Sequence, residues 1–204
     1  VNGLAGFGTA LFAPGFWLQV MSPVQAVSVA VAMSVLSGVQ GVVLVRRDIV
    51  WRRLARFVLP AIVGTPIGVA LLVVIDPKIL KLLIAGFLIL YGGFFTFKRT
   101  LPNLARPTPI VDSMVGFVGG VLGGAAGLSG ALPTMWCAMR DWSKSEKRAV
   151  LQPFNVLILG MTALLFIYRG EYGVHTLTVI LVAFPVTMIS AQIGIAVFKR
   201  ITDD

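Results

Sequence analysis

The amino-acid sequence predicts an all-α integral membrane protein, a polytopic helical bundle of two related, inverted repeats, each opening with a glycine-broken, re-entrant helix. Three observations lead there. Of 204 residues, 57% are hydrophobic and only 12% charged, with a mean hydropathy of +0.94, whereas about a quarter of the residues of a soluble domain are charged. Five apolar runs reach spanning length, since a bilayer core of about 30 Å takes roughly 20 residues at about 1.5 Å each. Two further stretches are apolar but interrupted by glycine and proline.

The first interrupted stretch, residues 3–14, carries Gly6, Gly8, Thr9 and Pro14. The chain begins at Val1 with no charged flank, so the amino terminus reads as truncated. Runs at 23–45, 54–75 and 79–97 follow, the first two joined by the basic loop Arg46-Arg47-Asp48-Ile49-Val50-Trp51-Arg52-Arg53, whose tryptophan suits a membrane interface. Residues 1–97 form the first transmembrane repeat, 98–113 a polar linker with Pro102, Pro107 and Pro109, and 114–204 the second repeat, read as truncated at its carboxy terminus. In the first repeat Gly6, Gly8 and Pro14 precede Gln25-Ala26-Val27; in the second, Gly127, Gly130 and Pro133 precede Arg148-Ala149-Val150. Two related halves are a common transporter plan.

The second interrupted stretch, residues 114–139, holds seven glycines and Pro133. Each glycine costs a helix about 1 kcal/mol against alanine and proline about 3 kcal/mol, so a break is expected across Gly127-Leu128-Ser129-Gly130-Ala131-Leu132-Pro133. Charge bears on how the stretch sits. If it crosses fully, Arg46, Arg47, Arg52, Arg53, Arg56, Lys98, Arg99, Arg106 and Arg169 share one face, nine residues. Lys78, Lys81, Arg140, Lys144, Lys147, Arg148, Lys199 and Arg200 share the other, eight residues. If it dips in and returns, the last six of those change sides and Arg169 leaves, giving fourteen against three. Re-entry therefore restores the positive-inside bias that full crossing lacks. Gly116, Gly119, Gly120, Gly123 and Gly124 are expected to let helices pack closely, as small residues do in membranes.

The residues exclude several chemistries. The net charge of +9 lies in short clusters between apolar runs, which sets membrane orientation rather than offering a nucleic-acid face. All eight acidic residues fall in loops, run ends or the tail, so an intramembrane carboxylate relay is unsupported. One histidine, His175, and one cysteine, Cys137, cannot build a metal site or a disulfide. No enzyme is expected, and no cofactor.

What remains are neutral polar groups within the apolar runs, among them Ser34, Gln152 and Asn155. Gln152 and Asn155 lie one helical turn apart around Pro153, and each amide has four hydrogen-bonding positions to satisfy. A broken helix turns backbone N–H groups and a positive dipole end toward the gap, an arrangement that holds anions. The expected substrate-binding residues are Gly6, Gly8, Thr9, Pro14, Ser34, Gly127, Ser129, Gly130, Pro133, Gln152 and Asn155.

Gly6-Phe7-Gly8-Thr9-Ala10 with Pro14, Gly127 to Pro133, and Lys144-Ser145-Glu146-Lys147-Arg148-Ala149-Val150-Leu151-Gln152-Pro153-Phe154-Asn155 together resemble the sulfite exporter TauE/SafE family over nearly the whole chain. The resemblance implies a bacterial plasma-membrane transporter of sulfite, sulfonates or related organosulfur anions; the residues themselves imply only a small anion. The expected function is secondary transport by alternating access, with an anion channel and a membrane scaffold without transport as alternatives. The expected partners are a small anionic substrate and the lipid bilayer, not nucleic acid, with room for a homo-oligomer.

Overall fold

A computed structural model describes residues 17–97, 104 and 108–202. The expected site residues Gly6, Gly8, Thr9 and Pro14 lie outside the described residues. Among those described, seven long or medium helices follow one another: α1 (Pro23–Val45), α2 (Trp51–Val74), α3 (Pro77–Phe97), α4 (Pro109–Ala126), α5 (Ala131–Ala138), α6 (Lys144–Tyr168) and α7 (Val174–Thr202). No strand occurs among them. Helices α1, α2, α3, α4 and α6 are long and apolar enough to cross a membrane, by length and composition alone. The chain has the architecture of a polytopic helical membrane protein. The sequence also expects spanning runs at 149–168, which lies within α6, and at 177–198, which lies within α7, whose described apolar part is Val174–Thr187; α4 is a further helix long and apolar enough to cross. Helix α4 also begins at Pro109, inside the stretch read as linker, because proline suits the first turn, where its missing N–H is not needed.

The boundaries follow from local chemistry. Ser22 caps α1 by accepting from Gln25 N, with Pro23 in the first turn. Helix α6 opens on a reciprocal cap: Ser143 Oγ accepts from Glu146 N at 3.2 Å, and Glu146 Oε2 accepts from Ser143 N at 2.9 Å. This pairing satisfies two of the donors that a helix start leaves free.

The break expected near Ser129 is present, and it is narrower than expected. Gly127 adopts φ 71°, a left-handed conformation that favours glycine. Its N–H donates to Gly123 O at 3.0 Å and that of Leu128 to Leu122 O at 3.1 Å. The first is the bond of the αL cap, and together the two satisfy terminal carbonyls of α4. The chain turns through Ser129 and Gly130, and α5 starts at Ala131. Pro133 therefore belongs to the first turn of α5 rather than to the break, a position where proline costs little.

Helix α5 returns alongside α4. Leu104 N donates to Met139 O at 2.8 Å, and Arg140 Nη2 donates to Asp112 Oδ1 at 2.9 Å, so the chain entering α4 lies beside the chain leaving α5. Contacts between distant loops agree: Arg53 Nη1 meets Glu146 Oε1 at 3.1 Å, and Ser145 Oγ donates to Asp48 Oδ2. The loop after α1 and the loop after α5 thus occupy one end of the bundle.

The tightest packing joins α2 to α4. A Cβ built on Gly116, Gly120 or Gly124 would lie 2.2, 2.3 and 2.3 Å from the carbonyl oxygens of Phe57, Ala61 and Thr65. From the other side, a Cβ on Gly64 or Gly68 would lie 2.4 and 2.1 Å from the oxygens of Phe117 and Val121. Each pairing advances one turn on both helices, so the two run parallel with backbones in direct contact, the geometry that small residues permit between membrane helices. Gly119 and Gly123 face away from α2, toward Pro133, Ser129, Phe154 and Ile158. Helix α4 is therefore a wedge between α2 on one side and α5 with α6 on the other. Its five glycines pack as the sequence suggested. Helix α3 differs, burying only Leu80 and Ile84 and leaving Leu82 and Ile89 72% and 76% exposed.

Two predictions follow from this packing. Gly120→Leu forces a side chain into the Ala61 backbone and should cost about 3 kcal/mol or more, read as a lowered thermal midpoint in detergent; an unchanged midpoint contradicts the contact. Cysteines replacing Asp48 and Ser145 should be joined by a short thiol cross-linker in intact membranes, whereas absence of the cross-link contradicts a shared end for the two loops.

Candidate anion site

The turn between α4 and α5 sits against the middles of two other helices. Ser34 is the central residue of α1, and Asn155 lies one before the centre of α6. Ser129 Oγ donates to Asn155 Oδ1, and both residues are buried. Gly127 lies against α1, where its Cβ position is 3.4 Å from Val31 Cγ2 and 3.9 Å from Val27 Cγ1. Ser34 stands on the same face of α1, one turn beyond Val31. Leu128 anchors the turn in a core with Val27, Val31, Ala126, Ala131 and Leu159.

The expected residues distribute accordingly. Gly127, Ser129, Gly130 and Asn155 come together at the turn. Ser34 and Gln152 flank it on α1 and α6. The Gln152 amide lies against Gly41, with Oε1 only 2.6 Å from that glycine's Cβ position, so α1 leaves room for it. Pro133 packs against Gly119, its Cγ 3.2 Å from the Cβ position there, which makes it a packing residue one turn into α5.

Hydrogen bonding separates structural hydroxyls from the rest. Ser28, Ser37, Thr65 and Thr134 donate to Val24, Met33, Ala61 and Gly130 carbonyls at 2.7, 2.8, 2.7 and 2.6 Å, the usual recourse of hydroxyls in membrane helices. Ser34 Oγ and Gln152 Oε1 are buried without a hydrogen-bond partner among the described residues. Their residues are 1% and 7% exposed. A buried polar atom without a partner costs about 1–3 kcal/mol. Both belong to the expected site.

The electrostatics at the turn favour an anion. The carbonyl end of α4 is occupied by the Gly127 and Leu128 N–H groups, whereas α5 begins there with its donor end and positive dipole toward Ser129. A separate cavity of about 320 Å³ lies between Trp17, Ala30 and Met33 on one side and Val182, Ala183, Val186 and Thr187 of α7 on the other. Its lining is apolar apart from Thr187, whose hydroxyl is committed to Ala183 O at 3.0 Å. That cavity suits no anion.

Among the described residues, side-chain contacts join elements at both ends of the bundle around the turn. At the end beyond Ser28, Tyr172 Oη donates to Ser28 O at 3.2 Å and its ring meets Phe166 edge to face. Burial pushes the Tyr172 phenol up to about 12, which keeps it protonated as a donor. At the opposite end, Trp136 Nε1 and Arg140 Nη2 donate to Asp112 Oδ1 at 2.7 and 2.9 Å, and Arg140 also donates to Thr108 Oγ1. The Arg140 guanidinium lies 4.7 Å from the Trp136 ring centre, and that of Arg53 lies 4.3 Å from the Trp142 ring.

Sequence reasoning missed this cluster. It placed Asp112 among the acids of loops, run ends and the tail and gave it no partner, yet the side chain is only 3% exposed and Arg140's 2%. No short spacing links residues 28 apart. The usable signal was the hairpin itself, which obliges the residues at its two ends to meet.

Against known proteins, the family model described as sulfite exporter TauE/SafE matches residues 1–204, the whole chain. No curated protein and no solved structure gave a match. With apolar helices of spanning length around a glycine-broken polar turn, the chain belongs to the sulfite exporter TauE/SafE family.

Proposed function

We propose that the chain is a secondary transporter that carries a small sulfur anion, such as sulfite or a sulfonate, across the bacterial plasma membrane by alternating access. One observation carries the placement of the site: the helix break holds Ser129 against Asn155 at the middle of α6, with the donor end of α5 beside it. Backbone freed from a helix at membrane depth is tolerated where protein or a watery cavity surrounds it, and helix ends at mid-membrane are where secondary transporters bind their substrates.

In this reading α4 and α5 form a re-entrant hairpin. The ends of the hairpin meeting at Asp112 and Arg140 support it, as does the shared end of the loops at 46–50 and 139–143. Its counterpart is residues 3–14, and the two repeats are inverted. The substrate accepts from the Leu132 N–H in the first turn of α5, where Ala131 and Thr134 donate to Leu128 O and Gly130 O, and from side-chain donors at Ser34, Gln152 and Asn155. Burial of Ser129, Gly130 and Asn155 requires that surrounding helices move before a substrate enters or leaves. That requirement favours a carrier over an open channel. The role is transport, not catalysis.

The test is sulfite flux into vesicles holding the purified protein. Asn155→Ala removes a partner worth about 1.5–3 kcal/mol when the other group is charged, so flux should fall about tenfold or more, and Gly130→Leu should act alike by filling the turn. Thr96→Ala, at an exposed hydroxyl on α3 that bonds only to Gly92 O, should leave flux unchanged. Equal flux in all three folded variants overturns the placement, and no wild-type flux of sulfite or methanesulfonate overturns transport.

A further inference from the structure

A strongly basic surface lies away from the hairpin, at the corner where α1 ends and α2 begins. Arg46, Arg47, Arg52 and Arg56 form no ion pair among the described residues. The neighbouring acids are engaged elsewhere: Asp48 accepts from Ser145 and Glu146 pairs with Arg53. Helix α2 packs Phe57, Ala61 and Thr65 against α4, and its opposite stripe of Leu59, Val63 and Ile67 is exposed. At 3.6 residues per turn, Arg56 and Arg52 stand on that exposed stripe, about one and two turns before Leu59.

This register puts the two guanidinium groups at the level of lipid headgroups. The 24 residues of α2 extend about 36 Å against a hydrocarbon core of about 30 Å, so its first turn stands outside the core. The aliphatic stem of Arg56 carries its charge into the same layer. Trp51 is 70% exposed beside them, and its amphipathic ring suits the interface. On α1, exposed Val43 and Leu44 precede Arg46 in the same way. Val50 caps α2 without a side-chain bond, so the positive end of the helix dipole adds to the arginines.

We propose that this corner binds one anionic phospholipid. Its phosphate is held by Arg52 and Arg56, with Arg46 and Arg47 beside it, and its acyl chains lie along Leu59, Val63 and Ile67. Like charges one turn apart on a helix repel each other, and a phosphate between them removes that cost. A guanidinium presents paired donors that match phosphate oxygens. A basic run facing only water is neutralised by mobile ions, whereas here the apolar stripe beneath the arginines selects an anion that carries acyl chains. A headgroup without an ammonium group fits best, because choline or ethanolamine would bring another cation to four arginines. The site depends on the membrane architecture alone and not on what the protein transports.

The experiment titrates the purified protein in mild detergent with phosphatidylglycerol, with phosphatidylcholine of the same chains, or with inorganic phosphate, and reads the thermal midpoint. Phosphatidylglycerol should raise the wild-type midpoint saturably, and the other two should raise it little. An equal rise with both lipids, or with phosphate alone, overturns the proposal. Arg52→Gln/Arg56→Gln should need about tenfold more phosphatidylglycerol for half its effect. Lys78→Gln/Lys81→Gln, which removes as much charge beyond the far end of α2, should leave the titration unchanged. Equal weakening in the two variants marks diffuse charge attraction and overturns the site, as does no weakening in the arginine variant. If the arginine variant does not fold, a photoreactive group on Val50→Cys in a Cys137→Ser background supplies the test. In vesicles of equal phosphatidylglycerol and phosphatidylcholine it should capture the anionic lipid about threefold or more in excess, and equal capture overturns the proposal.

Discussion

The parallel contact between α2 and α4 is the constraint on which the other elements depend. Glycines on both helices bring main chain against main chain, so that no side chain separates Phe57, Ala61 and Thr65 from Gly116, Gly120 and Gly124. Apolar side chains gain little by leaving lipid for protein, and association of membrane helices relies on close van der Waals contact and weak polar contacts. Carbonyl oxygens facing glycine Cα–H groups supply such contacts, each worth about 0.5–1 kcal/mol. With α4 fixed against α2, its opposite stripe, Gly119 and Gly123, leaves a shallow face on which Pro133, Ser129, Phe154 and Ile158 seat. The hairpin returns there because the glycines leave space, and α6 closes over it.

That wedge decides where polarity is found. The turn reaches the middle of the bundle because α4 ends at Gly127, held by the Gly127 and Leu128 N–H groups, and because Leu128 is buried beside Val27 and Val31 of α1. The same two features that stop the helix also orient it. Ser129 is then within reach of Asn155, and the first turn of α5 faces the gap. At the base, the ion pair of Asp112 and Arg140 ties down the hairpin's two ends. A buried ion pair is weak evidence for stability, since desolvation offsets much of the attraction.

Much of this was legible in the sequence, and the reasons differ by element. Composition and run length identified a helical membrane protein, because lipid admits few alternatives to long apolar helices. The interruption near Ser129 was readable from glycine and proline costs, and the close packing at Gly116, Gly119, Gly120, Gly123 and Gly124 from the use of small residues between membrane helices. The conversion of Gly127 rather than Pro133 into the break was not, since both residues stop helices and only the left-handed cap at Gly127 distinguishes them. Asn155 was singled out by an amide in an apolar run and is seated at the turn; Gln152, chosen for the same reason, lies against Gly41 instead. The capping box Ser143-Lys144-Ser145-Glu146 was legible and passed unread. The ion pair at the hairpin base was not legible, because it depends on a reversal of direction that no local pattern encodes.

The central claim is that residues 109–140 enter the membrane and return to the face they left. Single cysteines placed along this segment, labelled from each side of sealed vesicles with a membrane-impermeant thiol reagent in a Cys137→Ser background, measure it most directly. The account predicts that positions near Thr108 and near Asp141 react from the same side. Reaction of those two ends from opposite sides would contradict it.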